Sequence, residues 1–458
     1  MIALAGPSIA SAVPLTFTKL ADTSTNALRP DMQYASFGDP SISGGQEAFN
    51  ARSTGGDPFR PTTLDGIYAY GGGSLRRVVD QADQPSSNPF SRFSSFGKPS
   101  ISGSDIAFTA NFRDGGASYR DGVFVQNSAG LHVVTDTNAD TTRRGMAFTS
   151  FGDPSISGGQ LAFKAHSSDG DPFRPASLDG IYAYSGGSLR RVVGQLDQPS
   201  SNPFSLFSRF GKPSISSGNI AFTANFRDGG SPYHDGVFVQ NGAGLRMVAD
   251  TNADTTRRGM AFTSFGDPSI SGDEVAFNAH SSDGDPFRPI TLDGIYLYDG
   301  VALDRVVDEM DQPTSDPFSR FFSFGDPSIS GSSVAFLADY RSGSASLRKG
   351  LFLRLNGVLD EIISAGDQLD GLTVASLGFG QDGIDGNALA FVAAFTDGSS
   401  GVFRVDVGSG SVPEPSTPVM VLTGLCLLRW LGRRGLQLRA SYIIRKRRGG
   451  CRPAHPNC

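Results

Sequence analysis

Cysteine is nearly missing from this 458-residue chain: Cys426, Cys451 and Cys458 all fall near its C-terminus. No disulfide framework or thiolate metal site can therefore hold the body together. Histidine is scarce and scattered, at positions 132, 166, 234, 280 and 455. HExxH, GxSxG and phosphate-binding glycine loops do not occur, so no catalytic residue is assigned and the expectation is a protein that is not an enzyme. Net basic charge is also missing from the body, where 45 Asp or Glu outnumber 30 Lys or Arg. The formal net charge of −6 includes nine Lys or Arg and no Asp or Glu from Pro415 onward, which leaves −15 on the remainder. Such a body repels phosphate backbones, and nucleic acid is excluded as a partner.

What the chain has in excess is glycine (58), proline (27) and one recurring stretch. An aromatic followed by Gly, then Asp or Lys, then Pro-Ser-Ile-Ser, recurs at Phe37, Phe96, Phe151, Phe210, Phe265 and Phe324. A degenerate seventh copy begins at Phe379, and the gaps alternate between 59 and 55 residues. A fixed period of this length marks a repeat architecture. Each copy reads as short alternating runs joined by Gly-rich links, as in Ser155-Ile156-Ser157, Leu161 to Ala165, Gly180 to Tyr184 and Leu189 to Val193. Those links are hairpin signals, because glycine adopts the required positive φ without strain.

Four antiparallel strands per repeat is the content of a propeller blade. The seventh repeat lacks its last strand, and Leu15 to Asp22 has the pattern of the missing one. The expected fold is thus all-β, a seven-bladed β-propeller over 13–407 closed by the N-terminal strand completing the last blade; an open β array is the alternative. A closed propeller of this kind is expected to be monomeric.

In such a blade the tight glycine turns share one face and the long loops share the other, where binding is expected. Two motifs alternate there. Odd repeats carry Asp-Pro-Phe-Arg-Pro, placing Phe59, Arg60, Phe173, Arg174, Phe287 and Arg288 on long loops. Even repeats carry Asn-Phe-Arg-Asp, with Arg113 and Arg227. Aromatic faces stack on sugar rings and guanidinium forks bond carboxylates and hydroxyls, which suits carbohydrate or an anionic polymer. The simpler reading, since duplication copies structural residues as faithfully as functional ones, is that the Phe residues fill gaps between blades while the Arg residues pair with neighbouring Asp.

Asp136-x-Asn138-x-Asp140 and Asp250-x-Asn252-x-Asp254 resemble the first half of a calcium loop. The glycine and distal carboxylate such a loop needs are replaced by Thr141 and Ala147, then Thr255 and Ala261, so Asx-turns at strand exits are the simpler reading and no cofactor is expected. Paired carboxylates of a glycosidase need only a separation in space, so a carbohydrate-active enzyme stands as one alternative and a calcium-dependent adhesive scaffold as another.

The ends carry transport signals. Residues 1–12 are small and apolar and finish in Ala10-Ser11-Ala12, the pattern cut by signal peptidase; a flexible N-terminus is the alternative. Residues 408–418 form a linker containing Val412-Pro413-Glu414-Pro415-Ser416, residues 419–434 an apolar run ending in Arg433-Arg434, and 435–458 a basic tail. This closely resembles the PEP-CTERM sorting signal of exported bacterial proteins. The resemblance implies transient anchoring in the inner membrane, cleavage by an exosortase-type sorting protease, and release to the cell surface or extracellular matrix. The positions of Arg433 and Arg434 agree, since basic residues hold the flanking segment in the cytoplasm. Arg429 interrupts the run beside Trp430, and the chain continues past its arginines to Cys458. The repeats also resemble those of uncharacterised propeller-type exported proteins with this tail. The functional expectation is a binding or structural module for exopolysaccharide or another surface protein.

Overall fold

The computed structural model describes residues 14–408 except 26, 57–61, 117, 138, 140–144, 171–176, 200–201, 203, 230–231, 252–258, 286, 314–315 and 344. Leu15–Val407 forms one compact unit, and the chain ends Met1–Pro14 and Gly408–Cys458 belong to a second. Of that second unit only Pro14 and Gly408 are among the described residues. The described residues contain strands and turns and no helix, and so none long and apolar enough to cross a membrane.

Seven antiparallel sheets make a seven-bladed propeller. The blades run Met32–Asp80, Arg92–Asp136, Ala147–Gly194, Ser205–Asp250, Ala261–Asp308, Arg320–Ser364 and Gln368–Val407. In the third, Gln160–Ser168 pairs with Ser177–Ser185, which pairs with the outermost Ser188–Gly194. The innermost strand comes in two pieces, Ala147–Phe151 and Ser155–Ser157, both laid along Gln160–Ser168. The alternating runs of the sequence showed only the second piece; Ala147–Phe151 and its counterpart Ser205–Phe210 in the fourth blade lie upstream of them. The break falls at Gly-Asp-Pro, where proline has no N–H to donate to a ladder. At Gly38, Gly97, Gly211 and Gly266 close packing demands the glycine: a Cβ on Gly97 would lie 2.1 Å from Asp153 Oδ1 and 2.2 Å from Thr109 Oγ1.

The recurring aromatic belongs to the core. In the third blade Phe151 packs on Phe148 and Phe163, at centroid distances of 5.1 and 5.8 Å, and Tyr182 stacks on Phe163. The same quartet recurs as Phe93, Phe96, Phe108 and Phe124, and as Phe207, Phe210, Phe222 and Phe238. Offset and edge-to-face aromatic pairs of this kind add ~0.5–1.5 kcal/mol each beyond area burial. Ile181 and Val193 of the third blade join the fourth blade's quartet in one cluster, so the core lies between blades.

The recurring Ser-Ile-Ser has a second, separate role. Its two hydroxyls accept backbone N–H bonds from the next blade: Ser41 from Ile101, Ser43 from Gly103, Ser155 from Ile215, Ser157 from Ser217. The pattern holds through six blades at 2.8–3.3 Å. At the seventh seam Ile42 N–H donates to the Asp382 carbonyl at 2.9 Å, and Gly44 N–H donates to Asp385 Oδ2 at 2.6 Å. The motif is thus a two-tier girdle around the axis.

Closure follows the sequence expectation. Leu15–Asp22 runs antiparallel to Ser400–Val407 as the outermost strand of the last blade. This last seam carries an ion pair where the others are apolar. Glu47 occupies the position of Ile106, Leu161, Ile220, Val275, Val334 and Leu389, and Arg404 of the last blade reaches it at 3.1 Å. Burial raises Glu47 to about 7, and the Arg404 charge acts against that rise.

Candidate ligand-binding face

The tight turns, such as Gly44-Gly45 (φ 59° and 72°), lie at one end of the blades, and every long connection lies at the other. On that loop face the even blades repeat one cluster. Asn88-Pro89-Phe90-Ser91, Asn202-Pro203-Phe204-Ser205 and Asp316-Pro317-Phe318-Ser319 lead into the innermost strands. The first side chain of each accepts the N–H of the Phe two residues on, at 2.9–3.0 Å, an Asx turn. Phe90, Phe204 and Phe318 are held outward, 74, 74 and 75 % exposed. Ser86 Oγ donates to Asp114 at 3.0 Å, and Ser342 Oγ to Asp316 at 2.8 Å, so in the second and sixth blades the Phe loop is tied to the second loop of its own blade.

That second loop brings the arginines. Arg113 and Arg227 lie at the end of the second strand of their blades, opposite Tyr119 and Tyr233 on the third. Each guanidinium lies over its tyrosine, 5.7 and 5.8 Å from the ring centroid, and Arg341 lies 5.2 Å from that of Phe322. Tyr119 and Tyr233 are themselves exposed. Beside Tyr233 a cleft of about 640 Å³ opens between the fourth and fifth blades, lined also by Arg209, Asn225 and Asp235.

The expected residues separate physically. Phe112 and Phe226, one position before Arg113 and Arg227, are buried and fill the core. Phe287 is 91 % exposed, on a loop in which Asp285 Oδ1 accepts the N–H groups of Phe287 and Arg288. Phe59, Arg60, Phe173, Arg174, the sorting-signal residues 412–416, 433 and 434, and Asn138, Asp140, Asn252 and Asp254 lie outside the described residues. Asp136 stands 3.8 Å from Arg120, Asp250 ends its strand, and among the described residues no three His, Cys, Asp or Glu group in a metal-holding arrangement. Phe90, Phe204 and Phe318 were not singled out from sequence, although their Asn/Asp-Pro-Phe-Ser motif recurs every 114 residues.

Two further polar features lie near the axis and in the blade clefts. The residue after the anchor glycine in six of the seven repeats points charge at the channel: Asp39, Lys98, Asp153, Lys212, Asp267 and Asp326 surround a cavity of about 240 Å³. Lys98 bonds Asp39 at 2.5 Å, while Asp326 takes the place of a third lysine. Burial, then the Asp267 charge, lifts Asp326 to about 6. Gln381 crosses the axis from the seventh blade, its side-chain amide donating to the Pro268 carbonyl and its main-chain carbonyl accepting the Ser269 hydroxyl at 3.2 Å. In the clefts, His166 bonds Asp179 at 2.6 Å and His280 bonds Asp293.

Three comparisons bear on the whole chain. No curated protein matches it. Among solved structures, the acylaminoacyl peptidase of Pyrococcus horikoshii matches at 12 % identity and TM-score 0.44, covering 78 % of this chain and 49 % of the peptidase. This chain thus spans about half the length of that protein. The β-propeller domain of the Trilobed protease from Pyrococcus furiosus matches at 11 % identity and TM-score 0.33, over 72 % of this chain and 95 % of that one. An α-L-arabinanase of Penicillium chrysogenum matches at 11 % and 0.32, over 85 % and 98 %. These propellers include peptidases and a glycosidase, and such distant likeness does not decide between binding and catalysis. Two overlapping matches, over residues 7–198 and 175–419, cover most of the sequence: the chain belongs to the family described as a family of unknown function, DUF7453.

Proposed function

We propose that this protein is an exported binding propeller without enzymatic activity, delivered to the cell surface or matrix, where its loop face holds polysaccharide. The observation that carries this reading is the threefold recurrence of an outward phenylalanine on an Asx turn beside an Arg-aromatic pair on one face. Exposed apolar patches rimmed by polar residues mark interaction surfaces, and here exposed Phe and Tyr rings share a face with exposed arginines. The Asx turn fixes the backbone that carries each ring, which reduces the ordering cost when a sugar stacks on it. Export rests on the Ala10-Ser11-Ala12 pattern and the tail sequence, and exosortase processing on the tail sequence.

The test is co-sedimentation of the full chain with xanthan, with and without chelator, following polymer length in the same tubes. Saturable binding with unchanged polymer, lost at least tenfold in F90A/F204A/F318A, is expected. Shortened polymer would favour the carbohydrate-active enzyme, and loss with chelator the calcium-dependent scaffold. Unchanged binding by the triple variant would remove the loop face from the reading.

A further inference from the structure

Arginines at the loop-face clusters are placed against electrostatic preference. In the second blade Arg92 and Arg113 are directly opposite each other on neighbouring strands; in the sixth, Arg320 and Arg341 are. Like charges facing each other across a ladder destabilise it. Among the described residues no carboxylate lies within ion-pairing distance of any of the four. The body has carboxylates to spare, and Arg29, Arg52, Arg77, Arg191, Arg305 and Arg348 each hold an Asp. All four clustered arginines are solvent-exposed, and Arg92 satisfies one nitrogen on the Pro89 and Ser91 carbonyls while keeping others outward. In the fourth blade Leu206 replaces the first arginine, leaving Arg227 alone.

We infer that the second and sixth blades are sites for a carboxylated polysaccharide, one uronate-type sugar stacking on the exposed aromatic while the two guanidiniums take its carboxylate. This rests on the loop-face reading above and narrows its ligand. An anion between the two arginines converts a repulsive pair into two charge-assisted contacts. A neutral chain gains the aromatic contact and leaves the repulsion in place. The body's own negative charge disfavours polyanions in general, so a preference for acidic chains must arise at these local pairs. Two such sites on one rigid ring, with a weaker one between them, suit a long polymer that engages several at once.

The experiment compares the full chain's affinity for polygalacturonate and for its fully methyl-esterified form, in chelator so that calcium bridging is absent. The two polymers share a backbone and differ in charge. The acid form is expected to bind about tenfold or more tightly. The variant R92Q/R113Q/R320Q/R341Q is expected to lose that preference while still binding the ester, with a thermal midpoint no lower than the native chain's as proof of folding. Equal affinity for both polymers in the native chain, or a preference that survives in the variant, overturns the inference and leaves the loop-face reading standing. Retention of neither polymer overturns both.

Discussion

Glu309 tests whether the polar contacts between blades follow the physical logic described above. It occupies the position of Gln81 and Gln195, which bridge blades. Gln81 accepts the Asp65 N–H at 3.0 Å and donates its amide to the Ser94 carbonyl of the next blade; Gln195 does the same with Asp179 and Ser208. Glu309 keeps the acceptor half, receiving the Asp293 N–H, but its carboxylate has no amide hydrogen to give. Burial first, then the Asp293 charge, raises it to about 7, above the ordinary 4.5. A folded-state value raised in this way means the folded protein binds the proton more tightly. The associated stability is complete below about 4.5 and is lost as pH rises through about 7. The gap corresponds to a ceiling of ~3.4 kcal/mol, and partial exposure of the group reduces it to ~1–2 kcal/mol.

Glu309→Gln removes the charge and restores the amide. Its thermal midpoint is expected to match the parent's near pH 5 and to exceed it by ~1–3 °C at pH 8.5. His280 is present in both proteins, so the difference isolates Glu309. A midpoint difference that does not change between those pH values would refute the reasoning, as would a variant less stable than the parent at pH 8.5.

Two further outcomes concern the seams. Arg404→Ala strips Glu47 of its partner inside the last seam and is expected to cost ~3 kcal/mol in chemical denaturation. Adding Glu47→Leu, which restores the residue class of the other six blades, should recover most of that loss. Ser155→Ala leaves the buried Ile215 N–H without its acceptor and should destabilise by ~1–3 kcal/mol in the same assay, whereas the same change at the exposed Ser150 should be near neutral.

The ring and its closure were legible because they are properties of period. The 59/55 spacing counts blades, and the alternation of Leu15–Asp22 identifies it as the missing strand. The upstream piece of each innermost strand was not legible. Ala147–Phe151 is five residues long, and a register shift between Phe148 and Ser150 breaks the alternation that would have revealed it. The loop face could be read from turn lengths, but its chemistry could not. A phenylalanine in a loop motif looks the same in sequence whether it is buried like Phe112 or exposed like Phe90. That Arg92 faces Arg113 is a matter of strand register, which residues far apart in the chain do not disclose.

The ion pair at the closing seam also bears on how the chain counts its blades. The repeats are so alike that a ring could attempt to shut one pair too early, with the fifth blade against the first. Glu47 would then meet Leu297, which holds the place of Arg404 in that blade, as Ala69, Val125, Ala183, Val239 and Leu353 do in the others. A buried carboxylate facing only aliphatic carbon is a heavily penalised ending. One charged residue near each terminus thereby works as a stop mark, making the seventh blade the sole acceptable neighbour for the first and setting the size of the ring.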